Sequence, residues 1–262
     1  MTRSIPPALA PLVERLELER PSMITSEALT AMIRDARIAT PPRVAIQRLS
    51  ERGWLLKTGV RGVWEFAPGE RAGAYSARNP FSALQATLMA QPRLRARAAL
   101  GSALWLLDFA DRAPDRHEVS VPSGEGVPAA LKRAYRVVRF EPRLAPAFVQ
   151  GVPVHQTATV LVHMAHRPTD VRSWAEMLEH LPKLVAAANE SEIREELAGR
   201  PNATLVRLAY LLSGSAPDLT ARLRIEPAGV VWFGPRRKVR RSDSRWKVVD
   251  TVLPFSPAQL SQ

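Results

Sequence analysis

The N-terminal part of the chain, up to residue 71, carries apolar side chains at spacings that predict three short helices. These helices are predicted over residues 11–18, 27–33 and 41–52. Either Thr25 or Ser26 can act as the N-cap of the second helix, and Thr40 is the predicted N-cap of the third. Gly53 then ends the third helix, because glycine readily adopts the left-handed conformation that follows many helices.

A β-hairpin is predicted directly after the third helix. Two runs rich in aromatic and β-branched residues, 54–58 and 63–66, flank a turn bounded by Gly59 and Gly62. Three short helices followed by a hairpin is the element order of a winged helix-turn-helix. We therefore expect a winged helix-turn-helix domain over residues 1–71, with residues 70–74 as a short linker to the rest of the chain.

The remaining residues, 72–262, mix helix-like and strand-like patterns. Helical periodicity is present in residues 80–89, 95–109, 157–166, 171–187, 192–198 and 203–212. Strand-like runs are present in residues 118–122, 136–140, 152–155, 230–233 and 246–249. The predicted fold class is α+β, with the winged helix-turn-helix followed by a larger mixed helix–sheet domain.

The third helix presents one apolar face and one polar face when its residues are spaced by about 100°. Ala45, Ile46 and Leu49 fall on the apolar face. Arginine and glutamine on the opposite face can form paired hydrogen bonds with guanine and adenine in the major groove, and cations on the hairpin can contact phosphates. The candidate DNA-binding residues are Thr40, Arg43, Gln47, Arg48, Ser50, Lys57 and Arg61.

The chain is strongly basic, with 37 Lys and Arg residues, 25 Asp and Glu residues and a net charge of +12. Residues 230–247 hold seven of the basic residues and one acidic residue, so this short segment supplies half of the net charge. It is either a second surface, for a nucleic acid or an acidic partner protein, or a solvated loop. The candidate residues of this second surface are Arg236, Arg237, Lys238, Arg240, Arg241 and Arg245.

No catalytic or metal-binding pattern stands out. The absence of cysteine excludes disulfides and thiolate metal sites. His155, His163, His166 and Asp170 have a spacing that a metal could use, but no Glu-x-x-His pattern accompanies them. We expect neither an enzyme nor a metal or cofactor. Prolines and histidines interrupt the longest uncharged stretch, 144–166, so we expect no membrane span and no membrane partner. Together with the DNA-binding interpretation, this leads us to expect a cytoplasmic, nucleoid-associated protein.

The chain resembles the AbiEi antitoxin family of abortive-infection (type IV) toxin–antitoxin systems. The segments that carry this resemblance are 23–29, 48–49, 53–55, 102–107, 119–122, 151–154, 207–212 and 243–248. Members of that family join an N-terminal winged helix to a C-terminal antitoxin domain. The resemblance implies that the protein binds its own operator in double-stranded DNA, represses transcription and counteracts a cognate nucleotidyltransferase toxin.

Two alternatives stay open at the level of sequence. The first is a winged-helix transcription regulator whose larger domain senses a ligand or dimerises. The second is a winged-helix adaptor that docks other proteins and has no role on DNA. The sequence leaves the oligomeric state open, a monomer in solution being one alternative.

Overall fold

The computed structural model describes residues 4–71 and 79–261, so most of the predicted linker lies outside the described residues. Contacts divide the chain into two compact units. The N-terminal unit combines the chain up to Leu94 with the separate segment 126–134. The C-terminal unit combines residues 95–125 with the chain from Tyr135 onward. The domain boundary at residue 71 remains a prediction.

The described residues form a mixed α+β fold, which confirms the predicted fold class. The helices are α1 (Ala10–Glu19), α2 (Ser26–Asp35), α3 (Pro42–Glu51), α4 (Ser82–Ala90), α5 (Leu100–Leu106), α6 (Ala129–Ala134), α7 (Thr157–His166), α8 (Trp174–Ala187), α9 (Glu190–Leu197), α10 (Asn202–Leu212) and α11 (Pro217–Leu223). The strands are β1 (Met23–Thr25), β2 (Leu55–Lys57), β3 (Val63–Phe66), β4 (Arg97–Ala98), β5 (Glu118–Val121), β6 (Arg136–Arg139), β7 (Ala147–Val149), β8 (Val152–Val154), β9 (Val231–Phe233), β10 (Arg241–Asp243) and β11 (Val248–Asp250).

In the N-terminal unit, α1, α2 and α3 bury their apolar faces in one core with the hairpin of β2 and β3. Leu29, Leu49 and Phe66 are among the buried residues of this core. The strands form an antiparallel sheet in the order β1-β3-β2, with Leu55 opposite Phe66. Helix α4 packs against β1, β3 and α6, so the short segment 126–134 completes this unit.

The two predicted helix caps have different outcomes. The Thr25 hydroxyl accepts a hydrogen bond of 3.0 Å from the backbone N–H of Ala28, so Thr25 is the N-cap of α2. The prediction that Thr40 caps α3 is wrong, because the N-cap position is Pro41 and no side chain caps this end. A residue before proline is disfavoured in the helical region, and Pro41 precedes Pro42. The helix therefore begins one residue later than predicted.

The C-terminal unit is built on a five-stranded sheet with the order β6-β5-β4-β8-β7. Helix α7, nearly all of which is buried, contacts α5, α8, α9 and α10. A second sheet has the order β10-β11-β9. The continuous helix predicted for residues 95–109 is wrong at its start, because Arg97 and Ala98 pair with β5 and form β4 before α5 begins.

A bilayer-spanning helix must combine length with apolar character over about 20 residues. None of the helices in residues 4–71 and 79–261 meets both requirements.

Candidate nucleic-acid interface

Five of the seven predicted DNA-binding residues line one groove on the N-terminal unit. The groove lies between α3 and the hairpin of β2 and β3 and has a volume of about 840 Å³. The predicted residues that line it are Arg43, Gln47, Ser50, Lys57 and Arg61. Arg48 is exposed on α3 but does not line the groove, and Thr40 is half-buried just before the helix.

Helix α3 holds its polar face outward because its opposite face is anchored in the core. Ala45 and Leu49 are fully buried, which fixes the rotation of the helix about its axis. Arg43 and Gln47, four residues apart, are consequently exposed on the same side. At its C-terminal end the helix closes through a positive φ of 74° at Gly53, which confirms the predicted end.

The groove carries a positive balance of charge. Three cationic side chains, those of Arg43, Lys57 and Arg61, line it, and none of them forms an ion pair with any residue in the described part of the chain. Glu51 also lines the groove, where its carboxylate accepts a 2.8 Å hydrogen bond from the side-chain amide of Gln47. Glu51 was not among the predicted site residues, although its i,i+4 spacing from Gln47 indicates this contact.

The hairpin tip has a defined shape. The Thr58 hydroxyl donates to the carbonyl of Val63 at 2.9 Å and accepts from the backbone N–H of Val60 at 3.2 Å. Gly59 and Gly62 take φ values of 83° and 76°, which only glycine adopts without strain. Arg61 is therefore presented from a turn that the backbone and Thr58 hold in place.

In the basic segment 230–247 of the described chain, some cationic side chains have protein partners and others do not. We use the name basic loop for residues 235–241, which lead from β9 to the first residue of β10. Arg240 donates to the carbonyls of Val252 and Leu253, both at 3.1 Å, and Arg241 lies 3.3 Å from the buried carboxylate of Asp250. Arg236, Arg237 and Lys238 are exposed and have no hydrogen-bond or ion-pair partner among the described residues. Arg245, outside the loop, lies over the ring of Trp246.

Three of the five histidines of the C-terminal unit surround a buried aromatic ring. The rings of His155, His163 and His166 all lie within 6 Å of the Phe140 ring centroid, at 5.6, 4.2 and 5.8 Å. Burial lowers the pKa of His155 and of His163, and it lowers the pKa of His166 to about 4, assisted by the positive charge of Arg200. No group of three metal-ligating side chains is present in the described ranges.

A buried carboxylate lies next to these rings and organises its surroundings. Glu196 is fully buried and accepts hydrogen bonds from the backbone N–H groups of Arg143 and Leu144 and from the hydroxyl of Thr159. Its other oxygen lies 2.8 Å from the guanidinium of Arg200, which in turn stacks over Phe140 at 4.4 Å. These contacts give Glu196 a structural role.

The comparison with protein families identifies the central part of the chain. Residues 96–214 match the model described as the AbiEi antitoxin C-terminal domain. Residues 96–214 are therefore similar to an AbiEi antitoxin domain, and we refer to them as the AbiEi domain. The match confirms the resemblance read from the sequence and supports a role as the antitoxin of a toxin–antitoxin system. The AbiEi domain contains the five-stranded sheet, the histidines around Phe140 and Glu196, and it ends before the basic loop.

A solved structure extends the similarity to nearly the whole chain. The crystal structure of the RV2827C protein from Mycobacterium tuberculosis superimposes with a TM-score of 0.80 and 27% sequence identity, covering 98% of this chain and 95% of that one. No curated protein gives a significant match. This chain therefore shares its fold with that protein beyond residues 96–214.

Proposed function

We propose that this chain is a DNA-binding antitoxin that represses its own operon and counteracts a nucleotidyltransferase toxin. The AbiEi domain supports the antitoxin part of this proposal. The DNA-binding part rests on the groove of the N-terminal unit, where five residues of the predicted interface share one cationic surface. The protein would act in the cytoplasm on the DNA of the nucleoid.

The element order of the N-terminal unit supports a winged helix-turn-helix. Its helices and strands follow one another as α1, β1, α2, α3, β2 and β3, and the three strands form one antiparallel sheet. In this arrangement α3 is the recognition helix and the β2–β3 hairpin is the wing. A recognition helix enters the major groove with its exposed face, which here carries Arg43 and Gln47.

Each part of the groove has a proposed task. Arg43 suits paired hydrogen bonds with guanine, and Gln47 suits adenine once its amide leaves Glu51. Lys57 and Arg61 on the wing would contact phosphates, which position the protein without reading the sequence. Glu51 repels phosphates, so we assign it to limiting non-specific binding rather than to contact with the backbone.

A mobility-shift assay with the DNA upstream of the protein's own gene tests the DNA-binding part. We expect a retarded complex that forms with lower affinity on a scrambled fragment of equal length. The assay should be run at two salt concentrations, because phosphate contacts lose affinity steeply as salt rises. Equal affinity for both fragments would contradict operator recognition, and no binding to either fragment would favour the adaptor alternative.

Co-expression tests the antitoxin part independently. The partner is the nucleotidyltransferase that we expect to be encoded beside this gene, and growth is the measurement. We expect the full chain to restore growth, and the double variant Arg43→Ala, Gln47→Ala to restore it equally when both genes are driven from unrelated promoters. Failure of the full chain to restore growth would contradict the toxin assignment.

A further inference from the structure

We propose that the basic loop binds the phosphate backbone of double-stranded DNA through Arg236, Arg237 and Lys238. This contact would be an anchor separate from the α3 groove and independent of base sequence. The inference takes its ligand, DNA, from the proposed function, but it rests on features of the C-terminal unit alone.

The two ends of the basic loop are fixed by contacts with buried groups. At the first end, Gly234 has a φ of 106°, and a side chain there would collide with Thr251, whose hydroxyl donates to the carbonyl of Pro235 at 2.9 Å. At the other end, Arg241 pairs with the fully buried Asp250 and donates to the carbonyl of Pro254. The loop is thus held in one position by its own C-terminal unit.

The cations between these ends have no partner within the described structure. Arg236, Arg237 and Lys238 are consecutive and exposed, whereas the next arginine, Arg240, is occupied by backbone carbonyls. No acidic residue is present between Pro235 and Arg241. Three neighbouring positive charges repel one another. A bound anion that bridges them would reduce this repulsion.

Phosphate in a nucleic acid fits this surface better than an acidic protein does. Specific protein–protein interfaces contain a well-packed apolar centre surrounded by a polar rim. The loop offers two apolar residues, the partly buried Pro235 and Val239, of which 48% is accessible, and its other five residues are cationic. Guanidinium groups form paired hydrogen bonds with phosphate oxygens, and two of the three free cations are arginines.

The experiment compares the full chain with the triple variant Arg236→Gln, Arg237→Gln, Lys238→Gln on operator and scrambled duplexes from 50 to 200 mM salt. Each lost phosphate contact should reduce the slope of log affinity against log salt by about 0.9, so three contacts reduce it by about 2.7. The advantage of the native chain over the variant should then shrink about 40-fold across this salt range. The reduction should be equal on both duplexes.

Two further variants make the result specific to the loop. The control Arg112→Gln, Arg172→Gln, Lys183→Gln removes three exposed charges elsewhere in the C-terminal unit and should leave the slope unchanged. The variant Arg236→Lys, Arg237→Lys keeps the charges and should retain most of the slope. Thermal unfolding should be the same for all four proteins, since every substituted side chain is exposed.

The outcomes separate this inference from the proposed function. An unchanged slope in the loop variant overturns the inference, even if that variant fails to counteract the toxin. An equal loss of slope in the control, or a loss on the operator alone, also overturns it. If the native chain binds both duplexes equally and the loop variant weakens both, operator recognition fails while the phosphate anchor is supported.

Discussion

The polar residues of the α3 groove and those around Phe140 in the AbiEi domain differ in their access to water. Arg43 and Gln47 are exposed, so solvent can satisfy their hydrogen-bonding groups, and the one contact of Gln47 with Glu51 is itself exposed. Glu196 and His163 are fully buried, and each is held by specific neighbours. Exposed polar residues of the first kind are available to a binding partner, whereas buried polar residues of the second kind stabilise the fold.

The largest expected effect is the loss of stability when the buried carboxylate of Glu196 is removed. Glu196→Ala should lower the free energy of unfolding by about 3–5 kcal/mol, because it leaves Arg200 without its buried counter-charge. Urea unfolding measures the change. The neighbouring exposed carboxylate provides the control, and Glu195→Ala should change stability by less than about 0.5 kcal/mol. Equal effects of the two substitutions would show that burial of Glu196 does not make its contacts important for stability.

Acid should destabilise one unit selectively. The pKa values of His155, His163 and His166 are lowered in the folded state, so the unfolded chain binds more protons as the pH falls below 6.5. Stability is therefore complete above that pH and is lost as the pH falls toward 4. Burial raises the pKa of Glu118, which opposes this loss in part at the acidic end.

The N-terminal unit contains no histidine and should not share this response. Indole NMR signals report on the two units separately, because Trp54 and Trp64 lie in the N-terminal unit and the other tryptophans in the C-terminal unit. Simultaneous loss of all tryptophan signals between pH 6.5 and 4 would contradict selective destabilisation.

Substitution of the exposed groove residues should reduce affinity for DNA rather than stability. Arg43→Ala and Gln47→Ala should each weaken operator binding by about 1–3 kcal/mol and relax the preference for one base. Arg48→Ala is the matched control, because Arg48 is exposed on the same helix but outside the groove. Mobility shifts on the operator and its single-base variants measure both effects. A loss in Arg48→Ala as large as in Arg43→Ala would show that the groove does not define the interface.

The smallest expected effect is that of Arg61→Ala on the wing. We expect it to weaken binding to all sequences alike and to reduce the salt slope by about 1, as the loss of one phosphate contact requires. Titrations of operator and scrambled DNA at several salt concentrations measure this change. A loss confined to the operator would mean that the wing reads bases.

The sequence predicted those elements whose signals are local. Thr25 could be recognised as a cap, and Gly53 as a helix end, because each position depends on a few neighbouring residues. The start of α3 was predicted one residue too early, although it too has a local signal, because the residue before proline is disfavoured in the helical region. By contrast, β4 depends on pairing with β5 and β8, which helical periodicity in residues 95–109 does not show.

In the candidate sites, too, local signals could be predicted from the sequence and contacts between distant segments could not. The positions of Arg43 and Gln47 on one face follow from helix geometry and from the apolar residues opposite them. In the basic segment, composition could not separate Arg240 from Arg236, because the difference depends on carbonyls at Val252 and Leu253 that reach the loop only after folding. The buried position of Glu196 also depends on contacts with distant segments.

The inclusion of α6 in the N-terminal unit has a consequence for biosynthesis. Helix α4 packs against α6, whose Leu131 is fully buried, yet residues 95–125 of the other unit lie between them in the chain. The N-terminal unit therefore cannot be completed on the ribosome until residue 134 has emerged from the exit tunnel. A nascent chain that has emerged from the tunnel up to Leu94, but not yet to residue 134, would expose the part of α4 that α6 covers, so translation and assembly of the two units are interleaved.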